Sequence, residues 1–138
     1  RTAAAAFQAG TGTLAVSGAL RYALGRERPQ DGHGAASFNP FEAGNLDDSS
    51  FPSLTSGLTW AVLTPYAREY DLPWLYGIAT LSSLAQVSGR EHWLSDTVGG
   101  GVLGYLLGSQ AWRSNRKPGS GPDLWLAPDA VGLAWKTQ

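Results

Sequence analysis

Two residues near the middle of the chain have types and spacing that suit chemistry: His92 and Asp96, in the stretch "SGREHWLSD". At positions i and i+4 of a helix their side chains would meet, and a carboxylate beside an imidazole fixes which ring nitrogen carries the proton. Three further groups stand earlier in the chain. Arg21 and Arg28 frame "RYALGRERP", and Ser53 lies in "SFPS". Fixed guanidinium groups can hold and neutralise the charge on the oxygens of a phosphoryl group in transfer. Taken singly, each group also has a plain structural role. Arg21 and Arg28 would suit the C-terminal dipole of a helix, Ser53 would cap a helix start, and His92 with Asp96 would be a local hydrogen bond.

Composition narrows the classes. The chain has 138 residues, enough for one domain with a substantial core. Eleven acidic against ten basic side chains give no broad electrostatic footprint for nucleic acid. Cysteine is absent, so neither a disulfide framework nor a thiolate metal site exists. The histidines, His33 and His92, are too far apart in sequence for a histidine metal motif. Runs without charge, such as Thr2 to Leu20 and Thr97 to Trp112, approach the ~20 residues that span hydrocarbon. Each carries Gly, Ser, Thr or Gln, which favours buried helices of a soluble bundle, or polar membrane helices, over lipid-facing spans. The chain opens on Arg1 without a signal-peptide pattern and reads as a processed product or a fragment, with room for further helices of the bundle before it.

The elements that must position these residues read as helices. "TAAAAFQAGTGTLAVSGALRYALG" is the first, with small residues at helical intervals and its arginines at the end, and Pro29 is expected to stop it. About twenty residues rich in Gly, Asn, Asp, Ser and Pro follow as a loop, a length that is usually functional or disordered. "FPSLTSGLTWAVLTPYAREY" is the second helix, with Ser49, Ser50 or Ser53 available as its cap, and Pro73 opens the third, "PWLYGIATLSSLAQVSG". The fourth, "WLSDTVGGGVLGYLLGSQAW", contains a glycine triplet suited to close approach of a neighbouring helix. Residues 1–115 are thus expected as a helical domain and 116–138 as a linker and tail, the tail forming a short hairpin around "PD".

Order and spacing together resemble the type 2 phosphatidic acid phosphatase superfamily, which includes the bacterial non-specific acid phosphatases and the vanadium haloperoxidases. Its pattern is K-x6-R-P, then P-S-G-H, then S-R-x5-H-x3-D. The match here runs from about residue 5 to 112, through "RYALGRERP", "FPS" and "GREHWLSD", and looks like the periplasmic bacterial branch. The resemblance implies an all-α bundle, a phosphorylated small molecule or lipid phosphate as substrate, no cofactor or metal, and a bacterial envelope location on the periplasmic side with possible membrane association. It also implies His92 as the nucleophile that forms a phosphohistidine, Asp96 as its orienter, and Arg21, Arg28 and Ser53 as phosphate-binding groups.

The sequence departs from that pattern at particular positions. Arg21 replaces the lysine. Leu54 and Thr55 stand where the second motif has glycine and the general-acid histidine, and Gln86 stands where the third has arginine. Losing a general acid costs ~10²- to 10⁴-fold in rate, and losing a charge-stabilising donor roughly another 10²-fold. A leaving group that needs little protonation, such as the phosphate of a diphosphate, would suffer least. His33 in the long loop is a candidate substitute acid. Two alternatives stay open: a catalytically inactive anion-binding or structural module of the same fold, and, ranked last, vanadate-dependent peroxidase chemistry.

Overall fold

A computed structural model describes residues 1–32, 34–41 and 49–116, together with the backbone of 122–127 and 130–135. Among the described residues there are four α-helices: α1 (Thr2–Leu24), α2 (Leu54–Glu69), α3 (Trp74–Ser88) and α4 (Leu94–Arg116). A short 3-10 turn, Pro29–Asp31, follows α1. The tail forms an antiparallel pair, β1 (Pro122–Ala127) with β2 (Ala130–Trp135), in the register Leu124 opposite Leu133; the "PD" turn expected between the two strands, residues 128–129, lies outside the described residues. His33 and the linker residues 117–121 lie outside the described residues.

The helices meet through small residues spaced four apart. Ala5, Ala9, Thr13, Ser17 and Arg21 are the buried stripe of α1. Ser53, Gly57, Ala61 and Pro65 run along α2 from its cap, and Asp96, Gly100, Gly104 and Gly108 along α4. Residues at this spacing form one ridge of a helix surface, and small side chains on it allow backbones to approach closely. A Cβ on Gly100 would overlap the Ser53 carbonyl oxygen, and one on Gly104 that of Gly57. Gly101 likewise packs under the Trp60 indole, with Nε1 at 3.1 Å from the position of a Cβ. Two hydroxyls in these seams bond locally or across the contact: Thr13 Oγ1 donates to the Ala9 carbonyl at 2.8 Å and Ser56 Oγ to that of Thr97 at 2.8 Å. The three stripes run into Arg21, Ser53 and Asp96, so the packing that holds the bundle also converges the site residues at one end.

The small-residue core turns larger apolar side chains outward. Phe7 is 72% exposed and Leu81 69%, while Ala5, Ala9, Ala61 and Ala111 form the buried apolar cluster. A groove of about 420 Å³ opens between α2, α3 and α4, lined by residues including Trp60, Leu84, Leu94, Val98, Val102 and Tyr105. Among the described residues no helix is long and apolar enough to cross a membrane.

Two boundaries differ from the expected ones. Helix α1 ends on Gly25, whose left-handed φ of 54° and N–H bond to the Arg21 carbonyl close the helix before Pro29 is reached. Helix α4 begins at Leu94, so His92 precedes the helix instead of facing Asp96 along it.

Candidate active site

The termination of α1 at Gly25 frees Arg26, Glu27 and Arg28 to run as an extended segment. Glu27 N–H donates to the Ser37 carbonyl at 3.1 Å on one side, and Ser50 N–H to the Arg26 carbonyl at 2.7 Å on the other. The Trp93 indole donates to the Glu27 carbonyl at 3.1 Å, which ties the segment to the approach of α4. Chain from both sides of the long loop therefore meets at the start of α4, where His92 and Asp96 lie.

His92 is 4% exposed, and its Nδ1 lies 2.8 Å from the Ser50 carbonyl oxygen. A carbonyl only accepts, so Nδ1 carries the proton in the neutral ring and Nε2 keeps its lone pair. Burial is the main cause that pulls the basicity of His92 below that of an ordinary histidine, and the nearby positive charges of Arg21 and then Arg28 add to it. The Ser50 carbonyl and, more weakly, the Asp96 carboxylate work in the other direction. The ring is thereby biased toward the unprotonated form a nucleophile requires.

Both expected cations belong to this neighbourhood. Arg21 closes the buried stripe of α1 and is 4% exposed, so it is not the solvated dipole partner its position on a helix end allows; its Nε donates to the Pro52 carbonyl at 3.1 Å. Arg28 is half-buried, extended ahead of Pro29, and its N–H donates to Asp31 Oδ2 at 2.9 Å.

Asp96 is fully buried in the first turn of α4. Its Oδ2 accepts from the Trp93 N–H at 2.8 Å, the back-bonding half of a capping box, and its Oδ1 pairs with Arg26 Nη1 at 2.5 Å. The closest approach to His92 is 4.0 Å, from Oδ2 to Nδ1, beyond hydrogen-bond reach. The orienting hydrogen bond expected from Asp96 is made by Ser50 instead, and Asp96 acts on His92 through charge alone. Arg26 was not among the expected site residues. The signal for it was its place between the two motif cations, Arg21 and Arg28, in "RYALGRERP".

Ser53 is fully buried as the N-cap of α2, its Oγ accepting from Ser56 N–H at 3.3 Å. Its own N–H donates to the Asp96 carbonyl at 2.9 Å, which docks α2 on α4 at the site. The remaining expected positions carry no charge here. Leu54 is half-buried at the first residue of α2 and Thr55 is exposed beside it. Gln86 lies in the last turns of α3 with Oε1 buried and no hydrogen-bond partner among the described residues. No cluster of His, Cys, Asp and Glu able to hold a metal ion exists among the described residues.

The arrangement is a buried imidazole whose surroundings disfavour its protonation, with two guanidinium groups close enough to act on it electrostatically, a pairing suited to a phosphoryl group. No curated protein and no solved structure matches the chain. The profile of the PAP2 superfamily matches residues 3–119, which takes in α2 to α4, all but the first residue of α1 and every site residue described in this subsection, and the scaffold is thus of the phosphatase type. On that match the chain belongs to the PAP2 superfamily.

Proposed function

We propose that the chain is a phosphohydrolase that works through a phosphohistidine at His92, on phosphate esters or lipid diphosphates, at a bacterial cell envelope. The observation that carries this reading is the protonated-Nδ1, lone-pair-Nε2 state that the Ser50 carbonyl imposes beside Arg21 and Arg28. Nε2 attacks phosphorus, the bond from phosphorus to the leaving oxygen breaks with its electron pair on that oxygen, and Arg21 and Arg28 hold the negative charge of the transferring group. Water then attacks phosphorus, the phosphorus–nitrogen bond breaks with its electron pair returning to Nε2, and phosphate leaves carrying the water's oxygen and its remaining proton. Ser53 spends an oxygen lone pair on the helix cap and has its O–H to offer a bound anion.

The leaving oxygen receives little help, because Thr55 cannot donate as an imidazolium does and Gln86 brings no cation. Diphosphates, whose leaving phosphate needs no protonation, are therefore the favoured substrates. The apolar groove that starts at Leu94, beside the first turn of α4, suits a hydrocarbon tail on such a substrate. The test compares hydrolysis of a prenyl diphosphate and of a generic phosphate ester by the chain and by His92→Ala. Loss of turnover in the variant, with the diphosphate the better substrate, supports the reading. Equal rates overturn it.

The exposed Thr55 and the neutral Gln86 favour a second reading, an anion-binding module of the same fold without turnover. It predicts that the chain binds inorganic phosphate at Arg21 and Arg28 while hydrolysing neither substrate.

A further inference from the structure

Arg26 contacts both groups that act on the Nδ1 side of His92. Its main chain bonds to the segment that carries the orienting carbonyl: its N–H donates to Ser49 Oγ at 3.2 Å, and its carbonyl accepts from Ser50 N–H at 2.7 Å. Its guanidinium reaches the other group. Nη1 binds Asp96 Oδ1 and also donates to Ser95 Oγ at 2.7 Å, while Nε and Nη2 both donate to the Ala35 carbonyl, at 2.9 and 2.7 Å. The aromatic rings of Phe38 and Trp93 lie 5.5 and 5.9 Å from the guanidinium carbon. Five polar and aromatic neighbours thus hold the fork in one orientation, and a planar guanidinium is the cation able to serve them together.

We propose that Arg26 is the positioning residue of the site: its backbone keeps the Ser50 carbonyl on His92, and its guanidinium neutralises Asp96 so that the imidazole stays unprotonated. The charged groups that act on His92 are Arg21 of α1, Arg28 of the segment after it and Asp96 of α4. Asp96 is the one that favours the imidazolium. A buried carboxylate about 4 Å from an imidazole, if uncompensated, raises its proton affinity by roughly one to three units. With Arg26 in place that pull is reduced, and the cations and burial prevail. The consequence for catalysis rests on reading His92 as the nucleophile; the effect on its ionisation does not.

The test is an NMR titration of His92, assigned by comparison with His92→Gln because His33 is the other histidine. In Arg26→Gln the proton affinity of His92 is expected to rise about tenfold, one pKa unit. In Arg26→Lys, which returns the charge without the fork, it is expected to fall between the two. An unchanged titration in folded Arg26→Gln overturns the proposal. Should Arg26→Gln not fold, Arg26→Gln/Asp96→Asn removes both charges. A titration matching the wild type supports mutual neutralisation, and a clear fall in proton affinity shows that Arg26 did not screen Asp96 and overturns it. Absence of phosphatase turnover in every protein, with these titrations as expected, would count against the proposed function and leave the role of Arg26 standing.

Discussion

His92 Nδ1 hydrogen-bonds the Ser50 carbonyl oxygen at 2.8 Å, across a gap of 42 positions in sequence. The imidazole is therefore oriented by the main chain at the end of the long loop, while the nearby carboxylate of Asp96 is committed to Arg26 and to the Trp93 N–H. The pH behaviour of the protein follows from this arrangement.

The folded state holds the His92 pKa below its unfolded value near 6.5. The unfolded chain then binds the extra proton more readily. Stability from this group is complete above about pH 6.5 and falls as the pH drops toward the folded-state value. Urea midpoints at about pH 5 and about pH 7.5 check this: the wild type is expected to lose more stability on acidification than His92→Gln does.

Restoring the missing chemistry should raise turnover. The triple variant Leu54→Gly, Thr55→His and Gln86→Arg supplies a general acid, a cation and room at the start of α2. A gain of at least ~10²-fold is expected on a generic phosphate ester, whose leaving group needs the proton, and a smaller one on a diphosphate. Steady-state rates on both substrates measure the difference. A folded triple variant with no gain on either would show that His92 does not sit in phosphatase geometry.

The seam between α2 and α4 makes an unequal demand on glycines. Gly100→Ala is expected to destabilise the protein by about 1–3 kcal/mol, because its Cβ must displace the Ser53 carbonyl. Gly77→Ala in α3, where a Cβ meets nothing within 4 Å, is expected to stabilise by roughly 0.5–1 kcal/mol. Denaturant melts of the two variants compare them directly. Since Ser53 also docks on Asp96, the Gly100 variant should lose activity beyond its loss of stability.

Much of this was legible in the sequence. The four helices followed from the spacing of small and apolar residues, and the glycine triplet correctly announced close helix approach, with Gly99 against Phe51, Gly100 against Ser53 and Gly101 against Trp60. The end of α1 was not: Pro29 looked like the stop, but Gly25 closes the helix first because a left-handed residue there satisfies the last turn. That displacement hid Arg26, which as a helical residue would point to solvent and as an extended one reaches Asp96. The partner of His92 was hidden for another reason. Backbone carbonyls carry no sequence signature, so the i, i+4 spacing drew attention to Asp96 although Ser50 makes the bond. The outward turn of Phe7, Leu81 and Leu94 likewise follows from helices that pack on alanine and glycine, a choice that hydropathy alone does not reveal.

A phosphoryl group taken up by His92 can be trapped on the protein as a phosphohistidine. The chain is incubated with a prenyl diphosphate radiolabelled at its terminal phosphorus, quenched in base, and the protein-bound label followed through acid treatment. An alkali-stable, acid-labile label is expected on the wild type and is expected to be absent from His92→Ala. The same label on both proteins, or turnover of substrate with none on either, would contradict uptake of the phosphoryl group by His92.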